Sequence, residues 1–163
     1  MPIDLYRIDD RLIHGQVVVG WGQPMSLGFI VLVDDEVAAS EWEQELYRMG
    51  VPPEMDAYFA SVAGAAQLLD AWRAEPRPGM LLTADVDSMQ RLIALRPDIR
   101  QVNIGGLHHR PDRKAVLRYV YLAPSDVKAL RSLEKAGVEV TAQDVPTARP
   151  IPLQDLFAEM EKS

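Results

Sequence analysis

The sequence contains no cysteine, so disulfides, thiolate nucleophiles and cysteine-ligated metals are excluded from the outset. It is short of positive charge: 17 Lys and Arg stand against 24 Asp and Glu, a net charge of -7. Nucleic-acid binders need a basic face to displace counterions, and this balance argues against one. It also argues against a polybasic patch for an anionic membrane surface. No apolar run approaches the roughly 18 residues that span a bilayer. The first residues, Met1-Pro2-Ile3-Asp4, lack the basic-then-apolar layout of a signal peptide. What remains is a chain of 163 residues, 48% hydrophobic and 25% charged, which reads as one globular, cytoplasmic domain over residues 1–163 with a sizeable core. Any role at a membrane would come through a partner.

Short apolar runs alternate with longer amphipathic stretches, the pattern of an α/β fold: a mostly parallel central sheet flanked by helices. Strands are expected at residues 2–8, 29–33, 56–60, 80–84 and 100–104, the early ones pairing in parallel. Residues 29–33, Phe-Ile-Val-Leu-Val, read as a strand buried on both faces. Helices are expected at 15–21, at 36–49 before Gly50 and Pro52-Pro53, at 62–72 capped by Ser61, and at 87–95. Later come an edge strand of mixed polarity at 115–122, a helix from Ser125 as cap to Ala136, a strand at 138–142, a proline-rich extended segment and a helix at 153–160. No repeat, low-complexity tract or interdomain linker interrupts the chain.

The chemistry is concentrated where the first strand ends. Ligands of open α/β sheets bind beyond the carboxyl ends of the strands. There the loop Asp9-Asp10-Arg11-Leu12-Ile13-His14 feeds into a helix beginning Gly15-Gln16-Val17. Free N–H groups at a helix start, with the helix dipole, favour a phosphate, and Gly15 leaves room for an anion to approach the backbone. His14 stands there, and imidazole is a capable nucleophile near neutral pH. Arg11 supplies a fixed cation for phosphate oxygens and, as a loop residue, adds little to a core. Asp9 and Asp10 can hold either the imidazole or Arg11. Leu12 and Ile13 are apolar in a polar loop, so at least one of them is expected to tuck inward.

Residues 7–17, Arg-Ile-Asp-Asp-Arg-Leu-Ile-His-Gly-Gln-Val, resemble the N-terminal signature of the IIB components of the mannose, fructose and sorbose class of bacterial sugar phosphotransferase systems. The resemblance continues at Val33-Asp34-Asp35-Glu36-Val37-Ala38, Val102-Asn103-Ile104-Gly105-Gly106, Tyr121-Leu122, residues 133–140 and Val145-Pro146, and so spans residues 2–152. It implies a phosphotransferase whose histidine, at the position of His14, accepts a phosphoryl group on Nδ1 from a IIA domain. It implies that the group then passes to a sugar bound by the IIC and IID membrane partners. It implies Arg11 in the active loop and a second loop nearby at residues 103–106, in which Gly105 and Gly106 contact the phosphate or merely turn the chain. No cofactor and no metal is expected.

Two other readings stand beside this one. A regulatory phosphoprotein of the same family would use the roughly two negative charges of phosphate to switch a partner, without transport. A response-regulator receiver would use the acids Asp34 and Asp35 with Asp85 as phosphoacceptor. However, Asn103-Ile104-Gly105-Gly106 and Ala123-Pro124 stand where a receiver wants Thr or Ser and Lys-Pro. His108 and His109 are adjacent, so in an extended loop they face opposite sides, a poor arrangement for a metal; they read as solvent-exposed loop residues, with a supporting role for one of them near the phosphate as the alternative. Trp21 and Trp42 read as core or interface residues.

Overall fold

A computed structural model of the chain describes residues 3–12 and 15–161. Ile13 and His14, on which the expected chemistry falls, therefore lie outside the described residues, as do Met1, Pro2, Lys162 and Ser163. Seven strands form one sheet in the order β3-β2-β4-β1-β5-β8-β9. These are β1 (Ile3–Ile8), β2 (Phe29–Val33), β3 (Asp56–Ala60), β4 (Gly79–Thr83), β5 (Gln101–Ile104), β8 (Glu139–Ala142) and β9 (Ile151–Pro152). All neighbours pair in parallel except β9, which runs antiparallel to β8 at the edge. Proline is tolerated at that edge, where Pro152 lies opposite Thr141.

The sheet divides the core in two. Alternate residues of β2 point to opposite faces: Phe29, Val31 and Val33 join one cluster, Ile30 and Leu32 the other, all with no exposed surface. Burying each such side chain contributes roughly 2 kcal/mol. The first cluster is roofed by α4 (Val62–Arg73), α5 (Val86–Leu95), α6 (Pro124–Lys135) and α7 (Leu153–Glu161). The second is covered by α1 (Gly15–Gly22), through Val18 and Trp21, and by Val37 of α2 (Asp35–Ala38).

Three stretches differ from the sequence-based expectation. Residues 36–49 form two helices, α2 and α3 (Glu41–Arg48), because Ser40 caps the second by accepting from the Glu43 N–H at 3.3 Å. Gln44 binds the ends together, donating to the carbonyls of Val37 and Ala38. Residues 115–122 are a hairpin, β6 (Lys114–Leu117) with β7 (Val120–Leu122), in a separate two-stranded sheet. Mixed polarity hid its turn, which contains no glycine or asparagine. Finally, Ser125 lies inside α6. Ala123 is the cap position, Pro124 opens the helix, and the Asp126 carboxylate accepts from the Ala123 N–H at 2.9 Å.

The acids Asp34, Asp35 and Asp85 have structural work. Asp34 caps α2 and Asp85 caps α5, while Asp35 accepts from the Val62 N–H and from Arg91. This removes the motivation for the receiver reading.

Candidate functional site

The site gathers at the carboxyl ends of three neighbouring strands, β1, β5 and β8. At the end of β1, the Asp9 N–H donates to the Thr83 carbonyl and the Asp10 N–H to the Gly106 carbonyl, at 2.9 and 2.8 Å. The loop after β1 is thus stitched to both flanking strands. Leu12 adopts a left-handed backbone, φ 54°, and turns its side chain into the second core cluster. An apolar non-glycine residue held at positive φ is strained, and burial of Leu12 offsets that strain. Leu12 is the inward-tucking residue expected of the pair.

Asp9 is fully buried and is the hub. It accepts from Arg11 Nε at 2.9 Å and Nη2 at 2.7 Å, from the Arg11 backbone N–H at 3.1 Å, and from Arg7 Nη2 at 3.2 Å. Burial pushes its carboxyl pKa upward, but the hydrogen bonds and charges of the two guanidiniums outweigh that and hold it below the usual range. Asp9 thus holds Arg11; its other expected role, holding the His14 imidazole, falls on a residue outside the described ones.

Arg7 was not among the residues expected at the site. It is fully buried in β1, where it lies opposite Asn103 in the parallel register. It donates to the Asn103 side chain, to the Gln143 carbonyl at 2.8 Å and to the Asp144 carbonyl at 3.1 Å, and its guanidinium lies 4.4 Å from the Trp21 ring centroid. Burial lowers its pKa and Asp9 partly restores it. A charged residue inside an otherwise apolar strand was the available signal. Residues 143–144 were missed as well. Gln143 accepts from Asn103 and donates to the carbonyls of Pro146 and Ala148, and so braces a third loop under the cluster.

The glycine pair makes room for this cluster. A Cβ on Gly105 would stand 2.2 Å from Arg7 Nη2 and 2.4 Å from Asp9 Oδ2. One on Gly106 would meet Arg11 Nε at 3.0 Å. At Gly105 only a residue without a side chain admits so close an approach, whereas at Gly106 the fit is tight but not closed. Their observed work is to let the second loop lie against the ion cluster.

Asp10 does something else: its carboxylate engages His108, accepting from the backbone N–H at 2.7 Å and pairing with ring Nδ1. The hairpin β6–β7 supports this loop, since Leu107 is buried and exchanges backbone hydrogen bonds with Tyr119 and Tyr121. His109 turns the other way, its ring edge-on to Tyr121. Gly15 and Gln16 begin α1, directly after the loop in sequence. Trp21 is core, whereas Trp42 is 74% exposed on α3.

Residues 3–163 match the family model described as the sorbose subfamily IIB component of the phosphotransferase system. The chain belongs to that family. It is a IIB component of the sugar phosphotransferase class, as the motif resemblance implied. It is 30% identical over 159 residues to the sorbose-specific EIIB component of Klebsiella pneumoniae, covering 98% of this chain and 97% of that one. It is 32% identical over 162 residues to the mannose-specific EIIAB component of Escherichia coli, covering 99% of this chain but 50% of the relative. The chain thus spans about half the length of that fused relative. The crystal structure of the IIB domain of the Klebsiella sorbose permease superposes with a TM-score of 0.87, at 30% identity and 98% coverage of both chains. The family match removes the receiver alternative, and the parallel sheet flanked by helices is the architecture of that solved IIB domain. Among the described residues no helix is long and apolar enough to cross a membrane.

Proposed function

We propose that this IIB component is a cytoplasmic phosphocarrier in which His14 accepts a phosphoryl group from a IIA domain and passes it to a sugar during uptake through IIC and IID membrane subunits. The observation that carries this reading is the buried Arg7–Asp9–Arg11 cluster, which fixes the loop leading to His14. A transfer site needs its loop held before the donor docks, because preorganised charge costs no rearrangement at the moment of reaction. Arg11 extends from buried Asp9 with 22% of its side chain exposed, so its charge is presented at the surface. Gly15 and Gln16 contribute the N–H groups of the α1 start to the phosphate. The fused mannose-specific EIIAB relative supports a IIA domain as the phosphoryl donor.

In the transfer, the His14 ring nitrogen attacks phosphorus as the bond to the donor histidine breaks. The reverse geometry delivers the group to a sugar hydroxyl, whose proton leaves to solvent or to a base. The test is to charge the chain from phosphoenolpyruvate through the general phosphotransferase proteins and a IIA domain, then add membranes bearing IIC and IID with candidate sugars. Discharge with formation of sugar phosphate supports the carrier. Charging with no discharge to any family sugar contradicts transport and fits a regulatory phosphoprotein.

A further inference from the structure

His108 combines two properties that rarely occur together. Its side chain is 67% exposed, yet the residue is fixed at three atoms. The backbone N–H and ring Nδ1 engage Asp10, and the carbonyl accepts from Arg113 Nη1 at 2.9 Å. An exposed side chain ordinarily keeps its rotamer freedom, and immobilising one costs entropy. Arg113 reinforces the clamp, its guanidinium lying 3.6 Å from the Asp10 carboxylate and 3.8 Å from that of Asp126. Because a carboxylate accepts, Nδ1 carries the hydrogen and Nε2 is left without a partner among the described residues.

The arginines of the cluster are tied to the interior, Arg7 wholly and Arg11 in part. Arg7 is fully buried, and Arg11 Nε and Nη2 both donate to Asp9. The imidazole of the second loop adds a cation-capable group whose outer nitrogen has no partner among the described residues. The Asp10 N–H donates to the Gly106 carbonyl, so the dyad is built into the seam between the active loop and the second loop.

We propose that His108, backed by Asp10, is a phosphate-binding residue of this carrier, its Nε2–H donating to an oxygen of the phosphoryl group borne by the active loop. The inference rests on the reading that His14 carries that group. A dianionic phosphoryl beside the ring favours its imidazolium form, which presents a hydrogen at Nε2 while Nδ1 keeps its bond to Asp10. The groups facing the ring are Asp10 and the Arg113–Asp126 pair, with Arg110 and Asp112 following in its own loop. His109, packed on Tyr121, takes no part.

The experiment uses the whole chain labelled with 15N and charged with phosphoramidate, a small phosphoryl donor. Ring nitrogen spectra are recorded at pH 8 before and after charging. The expected result is phosphohistidine at His14, conversion of the His108 ring to the doubly protonated form, and an unchanged His109 ring. A purely structural clamp would leave the His108 signals where they were. Phosphate on His14 with an unaltered His108 spectrum overturns this inference and leaves the carrier reading intact. Phosphate appearing on His108 itself also overturns it. No phosphohistidine at His14 overturns the reading on which it rests.

Discussion

Arg11 grips Asp9 with two side-chain nitrogens, Nε at 2.9 Å and Nη2 at 2.7 Å, and Asp9 has no exposed surface. The active loop is therefore anchored to the interior through its own motif. An arginine expected to serve phosphate more than the fold also holds the backbone that leads to His14.

Arg11→Lys keeps the charge and loses the fork. Lysine cannot reproduce two parallel bonds to Asp9, so the loop loses definition while Arg7 still pairs with the carboxylate. We expect the rate of phosphoryl transfer from IIA to fall by at least about tenfold, with a stability loss of about 1 kcal/mol. Rapid-quench transfer and thermal unfolding measure the two. A parent-like transfer rate removes Arg11 from the mechanism.

Asp9→Asn leaves Arg7 buried without its counter-ion. At pH 7 the expected destabilisation is about 3 kcal/mol. The sign with pH follows from the lowered carboxyl pKa of Asp9. A depressed native pKa adds stability above the unfolded value, near 3.9, and that stability is lost as pH falls through the native value. The gap between parent and variant should be widest at neutral pH and narrow in acid below the ordinary carboxylate range. Denaturant unfolding at several pH values tests this, and a gap that widens in acid contradicts it.

Gly105→Ala and Gly106→Ala separate the two glycines. The first places a Cβ 2.2 Å from buried Arg7 Nη2, and neither Arg7 nor Asp9 has space to yield. A loss of about 2 kcal/mol is expected. The second meets the partly exposed Arg11 at 3.0 Å, which a shift of a few tenths of an ångström relieves, so the loss should stay under about 1 kcal/mol. Equal effects in calorimetry would show that the ion cluster is not what requires Gly105.

Much of this was legible from residue patterns. Residues 29–33 and 56–60 are strands with the expected bounds, because an all-apolar run and the cap at Ser61 leave few alternatives. The loop after β1 was legible because six polar and apolar residues end abruptly on Gly15 at a strand-to-helix junction. Arg7 was not: its partners Asn103, Gln143 and Asp144 lie about a hundred or more residues away, and only the parallel register brings them together. The pairing of Asp10 with His108 was hidden for the same reason. The hairpin that supports His108 read as one strand, since Arg118-Tyr119 carries no turn signal.

The central claim, that His14 is the residue phosphorylated, is tested most directly by label transfer. Parent chain, His14→Ala and the double variant His108→Asn with His109→Asn are each incubated with labelled phosphoenolpyruvate, the general phosphotransferase proteins and a IIA domain. The account predicts label that is stable in base and lost in acid on the parent and on the double variant, and none on His14→Ala. Acid-labile label on His14→Ala would contradict it.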